Sequence, residues 1–165
     1  MPDTRSHRGP HPEDQHLFGP EMIPVLREAT ADLNWLLSRG YPGTVAQTLV
    51  GDRYQLAARQ RKAVARCACS DAQLKRRTET RVQHEKLTGQ VLELDGYNVL
   101  TTVEAALAGG VLLAARDGAL RDMASMHGSF RRVEETRPAL ERIGQMTASL
   151  GVSICQWYFD RPVSN

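Results

Sequence analysis

The sequence predicts an α/β protein in which an N-terminal helical part is followed by a parallel sheet covered by helices. Two patterns carry this prediction. Up to about residue 88, apolar residues recur at intervals of three and four, which is typical of amphipathic helices. From Gly89 onward, short apolar runs alternate with helical segments, and strands that alternate with helices indicate a parallel sheet.

Three parts are expected along the 165 residues, which are enough to bury a core. Residues 1–20 contain four prolines, many charges and few apolar side chains, so this tail is expected to be disordered. Residues 21–88 are predicted to form a helical, basic domain. Residues 89–165 are predicted to form the α/β domain.

The helical elements follow from apolar spacing and from the residues that interrupt it. A first helix is predicted over 22–37, and glycine and proline at 40–43 break it. A short helix over 44–50 should stop at a glycine, and a longer one should run over 52–69. The serine and aspartate at 70–71 can cap a further basic helix.

The α/β elements begin after Gly89. We expect strands and helices in alternation, with these bounds: strand Val91–Leu94, helix Thr102–Leu107 capped by Thr102, strand Val111–Ala115, helix Arg137–Leu150 and strand Val152–Phe159. Right-handed crossovers then place the ends of the first and third strands at the same rim of the sheet.

Carboxylates follow each predicted strand. Asp95 ends the first strand, Asp117 follows the second and Asp160 ends the third. Ligands of open α/β sheets collect at the carboxyl ends of strands, and converging carboxylates need a cation because like charges repel. Mg²⁺ or Mn²⁺ prefers such oxygen ligands and can activate water against a phosphodiester. Gly96 allows a sharp turn, and Asn98 can bind a ligand or orient Asp95.

The same residues have a structural interpretation. Aspartate and asparagine commonly cap and turn a following segment, so Asp95 and Asn98 could serve only that purpose. Asp117 and Gly118 form a common turn dipeptide, and Asp160 could pair with the neighbouring Arg161.

Basic residues are concentrated in one window of the chain. Residues 53–86 contain ten lysines and arginines and three acids, a net charge of +7, so the remainder carries −5. This asymmetry indicates binding of a phosphate backbone, although a solvated pair of helices would show the same pattern. Arginine suits phosphate geometry, and histidine can contact phosphate or exchange protons. The candidate nucleic-acid-binding residues are Arg59, Arg61, Lys62, Arg66, Lys75, Arg76, Arg77, Arg121, His127 and Arg131.

Other classes of protein are disfavoured by the sequence. Three cysteines do not predict a disulfide framework, and their spacing does not suit zinc. The chain has neither a G-x-G-x-x-G nor a Walker pattern, which disfavours nucleotide-dependent enzymes. It contains no apolar run of the ~20 residues that a membrane span requires. We therefore expect a soluble, cytoplasmic protein without a membrane partner.

The motifs at the strand ends also carry a family resemblance. "LDGYN" after a strand and a later strand ending in "FD" resemble the NYN branch of the PIN-like nucleases. "LLSRGY" and "LVGDRYQLAARQR" are similar to a prokaryotic family of unknown function that pairs a small helical domain with a PIN-like domain. The resemblance covers roughly residues 22–165.

This resemblance implies a three-layer domain that cleaves RNA with Mg²⁺ or Mn²⁺ held by acids. By position, Asp95 matches the first metal-binding acid, Asn98 its polar partner and Asp160 the acid of a later strand. The family places further acids on strands beyond Asn165, so we expect a partial PIN-like domain here.

Two functions follow as hypotheses. The first is a metal-dependent endoribonuclease that acts on RNA phosphodiesters. The alternative is a catalytically inactive nucleic-acid-binding or assembly module built on the same scaffold. An incomplete sheet would also expose an edge through which the chain could form a homo-oligomer.

Overall fold

The computed structural model describes residues 7–123 and 130–160. Within these residues the fold is mixed α/β, with seven α-helices and two two-stranded sheets. The chain separates into two compact units. One comprises the described residues of 1–10, 82–112 and 124–165, and the other comprises 11–81 and 113–123. We call them the α/β unit and the helical unit. No helix in the described ranges is long and apolar enough to cross a membrane.

The helical unit contains five α-helices. In chain order they are α1 (Asp14–Leu17), α2 (Ile23–Ser38), α3 (Gly43–Arg53), α4 (Ala58–Cys67) and α5 (Asp71–Glu79). Small and branched apolar side chains from α2, α3 and α4 form its core, with Ala29, Leu33, Ala46, Val50 and Val64 buried. The predicted cap of α5 is confirmed, because Ser70 Oγ accepts from the Gln73 backbone N–H and Gln73 Oε1 accepts from that of Ser70.

The break between α3 and α4 differs from the prediction. Gly51 lies inside α3, which continues to Arg53, and the chain turns at Gln55 with a φ of 50°. A Cβ at Gly51 would collide with the guanidinium of Arg61, whose Nε donates to the carbonyl of Leu56. The glycine therefore provides room for a packed arginine and does not end the helix.

The segment expected to be a disordered tail is packed from residue 7 onward. Asp14 in α1 is buried and accepts hydrogen bonds from Arg59 Nε at 2.5 Å and Nη2 at 2.8 Å. Arg8 is also buried. Polar composition alone predicts disorder, but here buried charges find partners far along the chain. Residues 1–6 of the tail lie outside the described residues.

The α/β unit is built on two parallel strands, β1 (Val91–Asp95) and β4 (Ile154–Tyr158), with Val91 opposite Ile154 and Asp95 opposite Tyr158. A 3₁₀ helix (His84–Lys86) precedes β1. Helix α6 (Gly96–Leu107) follows β1 directly, and α7 (Thr136–Ser149) precedes β4. Leu94 and Trp157 lie on the sheet face that packs against Leu100, Ala139 and Ile143 of these helices.

The prediction that Val111–Ala115 forms a second strand of the parallel sheet is wrong about the pairing. The segment forms β2 (Leu112–Ala114), which pairs with β3 (Leu120–Asp122) in a separate sheet. The turn at Gly118 has a φ of +79°, and its N–H donates to Ala115. The connection is too short for a parallel crossover, which needs a dozen or more residues.

Helix α6 is longer than the predicted helix Thr102–Leu107. It begins at Gly96, and Thr102 does not cap it, because the Thr102 hydroxyl donates to the Asn98 carbonyl inside the helix. The strand and helix predicted at 152–159 and 137–150 are confirmed with shorter or shifted ends.

A buried ion pair ties the N-terminal segment to α6. Glu104 is fully buried, and its Oε2 accepts from Arg8 Nε at 2.8 Å. Its Oε1 accepts from the Thr136 hydroxyl at 2.5 Å. Arg8 Nη2 also donates to the carbonyl of Arg131 at 2.9 Å. Both carboxylate oxygens are thus satisfied, which is the condition under which a buried charge is tolerated.

Replacing Arg8 by methionine should strongly destabilise the protein, because the buried Glu104 carboxylate would lose its counter-charge. We expect the free energy of unfolding to fall by about 3 kcal/mol, the range measured when one partner of a buried pair is removed. Urea unfolding at pH 7 measures it. The control is Arg132→Met at an exposed position, with an expected change under about 0.5 kcal/mol. Equal stabilities of the two variants would contradict this account.

Candidate functional site

Asp95 lies at the junction of β1 and α6, and Asn98 lies in the first turn of the helix. Asn98 Nδ2 donates to Asp95 Oδ2 at 2.7 Å. This contact turns the amide oxygen of Asn98 away from the carboxylate. Asp95 is the N-cap residue of α6, but its side chain makes no capping hydrogen bond to the helix backbone. Both side chains are exposed, and no described residue donates to Asp95 Oδ1.

Asp160 follows β4 by two residues at the same end of the sheet. Asp95 is paired with Tyr158, and the rings of Trp157 and Phe159 are stacked 6.0 Å apart on one side of the strand. Asp160 is exposed, and continued alternation beyond β4 predicts that it faces the side that carries Asp95. Ideal strand spacing and rise would then separate the Cα atoms of these two acids by about 8 Å.

Gly96 has a role that the sequence did not indicate. It is buried at the start of α6, and it is absent from the glycines with positive φ, so no left-handed turn occurs there. A Cβ at Gly96 would lie 2.6 Å from Phe159 Cε1 and 2.7 Å from the Tyr158 carbonyl oxygen. Glycine is required because the end of β4 approaches the backbone so closely.

The oxygen donors at this rim suit a hard divalent cation. Asp95 and Asp160 present carboxylate ligands, and Mg²⁺ is commonly held by one or two carboxylates with water and substrate phosphate. In the described ranges no group of three or more histidine, cysteine, aspartate or glutamate side chains is arranged to hold a metal ion.

Asp117 belongs to the helical unit, whereas Asp95 and Asp160 belong to the α/β unit. Arg121 donates to both of its oxygens at 2.8 and 2.6 Å, and Arg77 donates to Oδ2 at 2.7 Å. The hydrogen bonds from Arg121, supported by the Ala119 N–H and Arg77, hold the pKa of Asp117 well below its ordinary value despite its burial. Both oxygens of Asp117 accept hydrogen bonds from arginines. Asp117, which was predicted as a metal ligand, is therefore part of an ion-pair cluster with Arg77 and Arg121.

Most of the predicted nucleic-acid-binding residues form ion pairs. Arg59 pairs with Asp14, Arg61 with Asp52, Arg66 with Asp122, Lys75 with Glu79, and Arg77 and Arg121 with Asp117.

The other four candidates differ in their surroundings. Burial and then the charges of Arg66 and Arg59 lower the pKa of Lys62. Arg76 is exposed, and its side chain has no partner among the described residues. Arg131 is exposed and its carbonyl accepts from Arg8. His127 lies outside the described residues.

An aromatic cluster beside Asp95 was missed by sequence reasoning. Tyr97 meets the ring of Phe130 at 5.1 Å and that of Phe159 at 4.8 Å between centroids. Trp157 and Phe159, two residues apart on a strand, were the available signal, because such residues share one face. Tyr97 and Phe130 come from other elements, and no spacing rule joins them.

Two protein families match successive parts of the chain. Residues 25–79 match "Protein of unknown function (DUF434)", and residues 84–165 match "Domain of unknown function (DUF5616)". The chain is similar to two families of unknown function. These matches support the predicted resemblance to proteins of unknown function, and neither is to a PIN or NYN nuclease domain.

One curated relative adds to this comparison. An uncharacterized protein of Methanocaldococcus jannaschii is 27% identical over 115 residues, which cover 70% of this chain and 55% of the relative. The chain thus spans about half the length of the relative that it matches. No solved structure matches the chain.

Asp117→Asn should destabilise the protein by about 2 kcal/mol at pH 7, because hydrogen bonds to charged partners are lost. Since the folded pKa of Asp117 is lowered, its stabilisation is complete above its unfolded pKa and is lost as the pH falls through the folded value. Urea unfolding from about pH 6 to about pH 2 should show the gap between wild type and variant closing on acidification.

The control for this experiment is Asp52→Asn, which removes an exposed acid paired with Arg61. We expect a change under about 1 kcal/mol. A gap for Asp117→Asn that stays constant on acidification would contradict the assignment.

Proposed function

We propose that this protein is a metal-dependent endoribonuclease of PIN-like type that acts on RNA phosphodiesters. The observation that carries the proposal is the parallel register of β1 and β4. It sets Asp95 opposite Tyr158, and continued alternation beyond Tyr158 would bring Asp160 to the same exposed face. This is the edge at which open α/β sheets bind their ligands.

Each residue of the rim has a defined task in this proposal. Asp95 and Asp160 would hold Mg²⁺ or Mn²⁺ through carboxylate oxygens. Asn98 fixes the rotamer of Asp95 through the 2.7 Å hydrogen bond, so that Oδ1 remains available. When bound, the cation supplies a polarised water and neutralises charge on the phosphate. The exposure of all three side chains leaves room for a polymeric substrate.

Exposed cations of α5 are the residues that best suit the RNA backbone. Arg76 has an unengaged guanidinium among the described residues, and Lys75 has only an exposed contact to Glu79 at 3.9 Å. Exposed ion pairs of this kind contribute little to stability, so a phosphate can replace the acid.

The second candidate is a catalytically inactive nucleic-acid-binding or assembly module. The observation that favours it is that no group of three or more histidine, cysteine, aspartate or glutamate side chains in the described ranges is arranged to hold a metal ion. The two-stranded β1–β4 sheet also leaves strand edges unpaired there, which would permit self-association.

Cleavage of a labelled single-stranded RNA in Mn²⁺ tests the first candidate. Asp95→Asn should reduce cleavage to background, because the amide cannot replace the charge of the ligand. Asn98→Ala should reduce it by about 10- to 100-fold, the effect typical of residues that orient a metal ligand. The matched control is Glu93→Gln, an exposed acid two residues before Asp95 on the same face, which should cleave like wild type.

Three results would decide between the candidates. Cleavage that survives Asp95→Asn would contradict the metal mechanism. Binding that weakens steeply with salt but gives no cleavage would support the inactive module. A mass above that of the monomer in light scattering, without RNA binding, would support assembly alone.

A further inference from the structure

We infer that the turn between β2 and β3 is a binding site for a phosphate monoester. The site is formed by three guanidinium groups, those of Arg77, Arg81 and Arg121, around the carboxylate of Asp117. All four residues belong to the helical unit, whereas the rim of the proposed nuclease belongs to the α/β unit. The site is therefore independent of the proposed function and can be tested without it.

Three guanidinium groups meet one carboxylate at this turn. Arg121 donates to both oxygens of Asp117 at 2.8 and 2.6 Å, and Arg77 Nη1 donates to Oδ2 at 2.7 Å. Arg81 Nη1 lies 3.6 Å from the position that a Cβ of Gly118 would occupy. Three positive charges and one negative charge leave the turn with a formal charge of +2.

Arg81 is the residue that a purely structural role does not explain. It is exposed, and its side chain forms no hydrogen bond or ion pair with a described residue. It follows Thr80, the C-cap of α5, and it lies four residues after Arg77. Like charges at this spacing repel each other at a helix surface. An anion shared by the two guanidinium groups would replace that repulsion with attraction.

The ion pair with Asp117 positions Arg77 and leaves most of its donors available. A guanidinium group has five N–H donors, and Arg77 gives one of them to Asp117. The side chain of Asp117 is 4% exposed, whereas that of Arg77 is 45% exposed. The remaining N–H groups of Arg77 and those of Arg81 can therefore donate to an acceptor from solvent. Two planar guanidinium groups side by side match the geometry of phosphate oxygens.

Neighbouring acids of the helical unit do not balance this charge. Asp71 and Glu79 are the acids of α5. The first pairs with Arg116 at 2.6 Å, and the second contacts Lys75 at 3.9 Å. Asp122 on β3 is buried and lies 3.7 Å from an arginine of α4. Each of these acids thus has a cation of its own, and the charge of the turn is left for a ligand.

A phosphate monoester complements this charge better than a diester. At pH 7 a monoester carries a charge of about −1.5 to −2 and presents three terminal oxygens. A diester carries a single negative charge. Hydrogen bonds from arginine to phosphate are charge-assisted and roughly twice as strong as neutral ones. The ligand is therefore a compound that ends in a phosphate, either a small phosphorylated molecule or the terminal phosphate of a nucleic acid.

An NMR titration of the full chain with matched ligands tests the site. Adenosine 5′-monophosphate, its 3′,5′-cyclic diester and adenosine share one base and differ in the charge of the phosphate. We expect the monoester to shift the side-chain Nε–Hε signals of Arg77 and Arg81. It should bind at least about tenfold more tightly than the cyclic diester, because one charge and its hydrogen bonds are lost in the diester. Adenosine should not bind.

Substitution of Arg81 separates binding from folding, because its side chain has no partner in the described structure. Arg81→Gln should weaken monoester binding by about tenfold or more, with an unchanged thermal melt. Arg81→Lys keeps the charge without the planar fork and should have an intermediate affinity. The matched control is Arg76→Gln, which removes another exposed and unpartnered cation of α5 and should bind within about twofold of wild type.

Three results would overturn the site. They are equal monoester affinity of wild type and Arg81→Gln, an equal loss in Arg76→Gln, which would indicate diffuse attraction to a basic surface, and equal affinity for adenosine and its monophosphate. Oligoribonucleotides with a 5′-phosphate or a 5′-hydroxyl then identify the source of the ester. A 5′-phosphorylated strand that binds more tightly than the mononucleotide would assign the site to a nucleic-acid end, and equal binding would assign it to small phosphorylated molecules.

Discussion

The parallel pairing of β1 with β4 is the contact on which the rest of the α/β unit depends. It joins two segments that are far apart in the sequence, and its register decides which side chains meet at the carboxyl edge. A shift of one residue would exchange the two faces of a strand, so Leu94 would leave the core and Asp95 would enter it. The burial of Leu94 and Trp157 against α6 and α7 therefore fixes the position of the acids.

Glu104 shows a second constraint on the same unit. A carboxylate with no solvent exposure has to be matched by donors, and these come from Arg8 and Thr136, on either side of it in the sequence. Arg8 also lies over Phe130, whose ring supports Tyr97 beside the rim. The N-terminal segment thus contributes to the order of the aromatic cluster, although its composition resembles that of a flexible tail.

Local patterns predicted the elements whose signal is contained in a short stretch. Apolar spacing located α2 and α7, the serine and aspartate at 70–71 located the start of α5, and the apolar runs located β1 and β4. Pairing was less predictable, because β2 carries the same apolar character whether it joins a parallel sheet or a hairpin. The sequence signal for the hairpin was Gly118, because a glycine with a positive φ allows the short turn that joins β2 to β3.

For the candidate site too, the sequence predicted the individual residues better than their arrangement in space. Asp95, Asn98 and Asp160 follow strand ends and could be named from sequence, whereas the pairing of Asp95 with Tyr158, two residues before Asp160, required the register. The ion pairs of Asp117 and the aromatic cluster depend on residues from separate elements. No periodicity brings such residues together, so they become visible only in three dimensions.

Formal charge is a poor measure of which cations are free to leave their partners, because the exposure of the paired acids differs widely. Asp117 has a side chain that is only 4% exposed, so Arg77 and Arg121 cannot leave it without stranding a buried charge. Arg61 faces an acid that is 65% exposed, and Lys75 faces one that is 63% exposed, so water can replace either cation at little cost. The basic excess of residues 53–86 therefore divides into arginines that pair with buried acids of the helical unit and a smaller exposed set, in which Arg61 and Lys75 pair with exposed acids and the Arg76 side chain has no partner among the described residues.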